Sequence, residues 1–161
     1  MYCEALAQKL VAQLKQKNWR ITFAESCTGG LAAGELVEVS GASDVFDGSF
    51  VTYANSAKEQ LLQVEHKAVE AFGVVSETVA MQMAQGACRR MNAQVGVGIS
   101  GIAGPTGGTK EKPVGMVCFG FCVGERCFAV TKQFGNIGRN LVRQESVKFV
   151  YATLLSALEQ I

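Results

Sequence analysis

Ser26 and Lys58 are the pair of residues in this chain best suited to covalent chemistry. Ser26 lies in Ala24-Glu25-Ser26-Cys27-Thr28-Gly29-Gly30, and Lys58 in Asn55-Ser56-Ala57-Lys58. A serine hydroxyl becomes a nucleophile only when a base removes its proton. A lysine can be that base when desolvation or nearby positive potential lowers its pKa. The first turn of a helix supplies some of that potential. The plainer alternatives are a Thr28 helix cap and an exposed helical lysine.

Other residues could assist or compete. Tyr53, shortly before Lys58, could donate a proton or a hydrogen bond, or be an ordinary strand aromatic. Cys27 is a rival nucleophile with no neighbouring histidine to activate it. His66, the only histidine, sits in the polar run Glu65-His66-Lys67 and reads as a solvated helix start. Arg139 and Arg143 are one helical turn apart near a helix N-terminus, where the dipole disfavours cations. They could meet a phosphate or carboxylate ligand, or pair with an acid such as Glu145.

A glycine-rich stretch runs from Gly101 to Pro113. It lacks the Gly-Lys-Ser/Thr ending of a phosphate-binding P-loop, because it reads Gly108-Thr109-Lys110-Glu111. A strand rather than a helix follows it, which also excludes a dinucleotide fingerprint. It is either a mobile surface loop or a source of N–H groups for a phosphate or carbonyl oxygen.

The elements that must position these residues follow from periodicity. Residues 4–17 carry Leu6, Leu10, Val11 and Leu14 on one side and predict a helix. Ile21–Ala24 predict a strand, Leu31–Val39 a helix and Ser49–Ala54 a second strand. A helix starts at Asn55, a short one follows near Lys67–Phe72, and Ser76 caps another that ends at Met91. Val95–Ser100 form a third strand of small residues. Val114–Val123 and Arg126–Phe134 form two more around a tight turn at Gly124-Glu125, and a last helix spans Arg139–Leu158.

Helices between the first three strands imply parallel crossovers, and the last two strands imply a hairpin. The expected architecture is a mixed sheet with helices on both faces. Ser26 then falls at a strand-to-helix junction on the rim where α/β sheets bind ligands, and the new helix offers N–H groups to an anion.

The whole chain is 161 residues, 48% hydrophobic and 18% charged, with a net charge of +1, which fits one domain, 1–161. That balance gives no reason to expect nucleic acid or a membrane surface as partner. No apolar run has membrane-spanning length, and no signal-peptide pattern opens the chain. The six cysteines form no C-x-x-C pair, and Cys118 and Cys122 on one strand lie too far apart to bond. Reduced thiols in the core and a cytoplasmic location are expected. Apolar stripes on the terminal helices leave room for a homodimer.

Five blocks resemble, in order, the CinA C-terminal domain family. They are Ala24–Gly30; Phe50-Val51-Thr52-Tyr53-Ala54-Asn55-Ser56-Ala57-Lys58; Gly73-Val74-Val75-Ser76-Glu77; Ile99–Gly108 with Lys112-Pro113-Val114-Gly115; and Arg139-Asn140-Leu141-Val142-Arg143. The resemblance implies a three-layer α/β/α sandwich with a mixed, mostly parallel five-stranded sheet. It also implies hydrolysis of the amide of nicotinamide mononucleotide (NMN) to nicotinate mononucleotide and ammonia, without metal or cofactor. Carried over, Ser26 is the nucleophile, Lys58 its base, and Tyr53 assists proton movement. Backbone near Thr28, Gly29 and Gly30, or near Ser100 and Gly101, would hold the oxyanion, with Gly104 also at the substrate. Arg139 and Arg143 would meet the phosphate. One departure stands out: the family often has Gly-Asp before the first arginine, where this chain has Ile137-Gly138.

Overall fold

The computed structural model describes residues 2–161. Six helices and five strands alternate along the chain. They are α1 (Glu4–Lys17), β1 (Ile21–Glu25), α2 (Leu31–Val37), β2 (Phe50–Val51), α3 (Asn55–Leu62), α4 (His66–Phe72), α5 (Glu77–Met91), β3 (Val95–Gly101), β4 (Met116–Val123), β5 (Arg126–Gln133) and α6 (Arg139–Glu159). A short 3-10 turn, Ala42–Asp44, follows α2.

The strands form one sheet in the order β2-β1-β3-β4-β5. β1 pairs in parallel with β2 and β3, while β4 is antiparallel to both β3 and β5. Four of the five strands therefore point the same way, as expected for a mixed, mostly parallel sheet. Helices α1, α2 and α6 cover one face and α3, α4 and α5 the other.

The two faces have different chemistry because strand side chains alternate. Val95, Val97 and Ile99 of β3 and Val117, Phe119 and Phe121 of β4 join Leu10, Leu14, Val147 and Tyr151 in one large apolar core. The opposite face of β3 carries Gly96 and Gly98 because α5 lies almost against the strand. A Cβ at Gly98 would stand 2.1 Å from the Ala80 carbonyl oxygen, closer than atoms can approach. Most apolar residues of α1 and α6 pack against each other and against the sheet.

Two expectations need correction. β2 is far shorter than Ser49–Ala54. Only Phe50 and Val51 pair with β1, and beyond them the Thr52 and Tyr53 carbonyls turn toward the Lys58 Nζ. The cysteines are also not all reduced, since Cys122 and Cys127 form a disulfide. The two-residue turn at Gly124-Glu125 sets them directly opposite each other across the β4–β5 hairpin, with Cα atoms 4.2 Å apart. The same-strand spacing of Cys118 and Cys122 gives no hint of that cross-strand partner. Cys3, Cys27, Cys88 and Cys118 are free. Among the described residues, no helix is long and apolar enough to cross a membrane.

Candidate active site

β1 ends at Glu25, and the chain turns at once into the loop that carries Ser26. The Ser26 N–H donates to the Ile99 carbonyl of β3 at 3.0 Å, which fixes the residue at the sheet rim. Glu25 is fully buried. Its carboxylate accepts the N–H groups of Gly30, Ala32 and Ala33 at 3.0, 3.1 and 2.9 Å. The free end of α2 is thus filled by the protein's own anion. Gly30, with φ of 103°, stands at the cap position that Thr28 was expected to hold. The Thr28 hydroxyl has no hydrogen-bond partner.

Lys58 reaches the same rim from the first turns of α3. Its side chain is 1% exposed, and the Nζ lies 3.1 Å from Ser26 Oγ. The Nζ also donates to the Thr52 carbonyl at 2.8 Å and the Tyr53 carbonyl at 3.3 Å. Burial holds the pKa of this amine below the ordinary lysine value of 10.5, opposed weakly by the neighbouring Cys27. A neutral amine has two N–H bonds and one lone pair. Two carbonyls can take the N–H bonds, which leaves the lone pair for the Ser26 hydroxyl proton. The arrangement is therefore competent for general-base activation of an alcohol.

Cys27 is buried beside Ser26, and burial pushes its thiol up to about 12. It stays protonated near neutrality and is a poor rival nucleophile. His66 begins α4 at the surface, between Glu59 at 2.6 Å and Glu70 at 3.1 Å. It is not part of this site.

A cavity of about 440 Å³ opens over Ser26. Val74, Val75, Ile102 and Ala103 give it apolar walls, and Tyr53, Gly101, Gly104, Lys112 and Arg139 also line it. Arg139 crosses from α6 to donate to the Gly104 carbonyl at 2.8 Å and to the Tyr53 hydroxyl at 2.9 Å. The Tyr53 hydroxyl therefore faces Arg139, while its backbone carbonyl faces Lys58. The residues lining the cavity include cations and no carboxylate.

The remaining site candidates lie behind this wall. Gly29 N–H donates to the Ser26 carbonyl, and Gly30 N–H to Glu25. Ser100 is buried and donates its hydroxyl to the Val74 carbonyl at 2.8 Å. Arg143 donates to the carbonyls of Cys27 at 3.0 Å and Thr28 at 3.2 Å, so it braces the Ser26 loop from outside. Glu145, its possible acidic partner, pairs with Lys148 instead. Among the described residues, no cluster of three or more His, Cys, Asp or Glu side chains could hold a metal ion.

Sequence reasoning missed Glu25 and Lys112 as parts of this region. Glu25 sits in the first motif, yet only the turn back of α2 onto β1 reveals its target. Comparison with known proteins fits the geometry. The model of the CinA C-terminal domain matches residues 3–158. The chain belongs to that family. It is 45% identical over 150 residues to a nicotinamide-nucleotide amidohydrolase, PncC, of Enterobacter agglomerans, covering 93% of this chain and 92% of that protein. It is 43% identical over 145 residues to a CinA-like protein of Syntrophobacter fumaroxidans, of which it spans 34%. The chain thus spans nearly all of the first relative and about a third of the second. The crystal structure of a competence/damage inducible protein, CihA, from Agrobacterium tumefaciens superposes with a TM-score of 0.94 at 39% identity. That match covers 99% of this chain and 96% of the other. The family fold carries the three-layer α/β/α arrangement described above.

Proposed function

We propose that residues 1–161 form a single amidohydrolase domain that converts NMN to nicotinate mononucleotide and ammonia. The observation that carries this reading is the 3.1 Å approach of a buried, pKa-lowered Lys58 amine to Ser26 Oγ. It lies at the floor of a cavity lined by cations. The name of the Enterobacter relative supports the substrate.

Lys58 takes the Ser26 proton as Oγ attacks the carboxamide carbon. The tetrahedral oxyanion collapses, and Lys58 returns the proton to the leaving nitrogen, which departs as ammonia. Water, deprotonated by the same amine, then cleaves the nicotinoyl ester and restores the serine. Gly29 and Gly30 have already committed their N–H groups, which leaves those of Thr28 and of the Ser100–Gly101 strand end as the oxyanion donors. Tyr53 and Arg139 act together at the substrate, with Arg139 toward the phosphate. Arg143, held on the Cys27 and Thr28 carbonyls, acts on the loop rather than the phosphate.

The cytoplasmic expectation loses its cysteine argument with the Cys122–Cys127 bond. It rests on the substrate alone, a phosphorylated nucleotide whose charge keeps it inside cells. The homodimer reading rests on apolar side chains of the terminal helices, of which Leu141 of α6 is exposed. Sedimentation equilibrium measures that state directly.

The test of function is incubation of purified protein with NMN, scoring ammonia and the acid product by mass. Stoichiometric appearance of both supports the assignment. Absence of both leaves a silent nucleotide-binding relative, and activity only on other phosphorylated amides reassigns the substrate.

A further inference from the structure

Lys112 is the second cation on the cavity wall, and the mechanism above does not use it. Its ammonium donates to the carbonyl oxygens of Phe72 and Val75, which flank Gly73 and Val74 on the segment after α4. Both partners are neutral, and no carboxylate pairs with Lys112 among the described residues. Two carbonyls accept two of the three N–H bonds of an ammonium and cancel none of its charge.

The backbone around Lys112 is ordered. The Lys112 N–H donates to Thr109 Oγ1 at 3.0 Å and the Thr109 N–H to the Lys112 carbonyl at 2.8 Å, closing a tight turn. That turn sets both residues on the same cavity wall. The Lys112 Nζ lies close to the Gly73 backbone, where a Cβ would stand 2.7 Å from it.

We propose that Lys112 is a specificity-determining residue that contacts the phosphate of the substrate, with Arg139 as the second cation and Thr109 as a hydroxyl donor. The inference rests on the proposed NMN hydrolysis for its substrate, but the site itself is defined by anion binding. A bound phosphate takes the remaining Lys112 N–H.

Two measurements test it. In the first, inorganic phosphate is titrated into wild type and Lys112→Gln, a change that keeps a donor and removes the charge. Phosphate affinity should fall about tenfold or more, the size of one charge-assisted hydrogen bond. In the second, kcat/KM is compared for NMN and for its dephosphorylated riboside. The variant should lose about tenfold or more on NMN and under about threefold on the riboside. Equal losses on both substrates would reduce Lys112 to a loop clasp and overturn the proposal, as would unchanged phosphate affinity. Should the variant not fold, wild type is acetylated with and without phosphate, and modification of Lys112 is read by mass spectrometry. Protection by phosphate supports the contact; equal labelling contradicts it. Phosphate binding by a protein that leaves NMN intact would sink the hydrolase reading but not this site.

Discussion

Lys58 Nζ and Ser26 Oγ meet at 3.1 Å although 32 residues separate them in the chain. The parallel pairing of β1 with β2 produces the meeting. It brings Glu25 opposite Val51, so the chain segments after both strands leave the sheet at one rim. The amine arrives from one segment and the alcohol from the other.

The base should show itself in the pH profile. Burial lowers the Lys58 pKa, and only the neutral amine accepts a proton. Activity on NMN should therefore rise with pH and level off below the ordinary lysine value of 10.5. Lys58→Met should abolish this limb together with the activity. A variant that retained its rate would remove the proposed base.

Stability should follow the same group. The folded pKa of Lys58 lies below its unfolded value, so between the two the unfolded chain binds more protons. Folding stability must then rise with pH across that window, and no such gain arises below the folded pKa. Thermal melts of wild type and Lys58→Met should diverge in slope there, the variant being flatter. Parallel curves would mean the amine is not desolvated.

Glu25 should matter to the fold as much as to the chemistry. Its buried carboxylate holds three N–H groups of the segment that follows Ser26. Glu25→Ala should cost about 3 kcal/mol in denaturant unfolding, because those donors lose a charged acceptor. A loss under about 0.5 kcal/mol, the level of an ordinary surface change, would show that the helix end finds other partners.

The disulfide should be silent in catalysis. Cys122 pairs with Gly96, near the start of β3, whereas the cavity opens at Gly101 where that strand ends. Cys122→Ala should cost about 2 kcal/mol of stability for so short a loop. Ammonia release should stay within about twofold, as for distant uncoupled sites. A larger kinetic effect would reveal coupling along β4.

Much of this arrangement was legible in the residues. Long amphipathic helices such as α1 and α5 declare themselves by period, and Ser76 does cap α5 through its bond from the Val79 N–H. Alternation in Ser49–Ala54 suggests a longer β2 because it cannot tell pairing from a chain that turns to serve a lysine. The role of Glu25 was hidden because its donors belong to backbone, which no side-chain pattern reports. Cys127 gave no signal for the same reason of register: a hairpin's partner depends on turn length. The pairing of Ser26 with Lys58 was readable, since parallel crossovers send both strand ends to one edge.

Ammonia release from NMN by wild type beside Ser26→Ala tests the Ser26 nucleophile directly. Ser26→Ala should lower kcat roughly 10³-fold or more with the thermal midpoint unchanged. Equal release by the two proteins would contradict it.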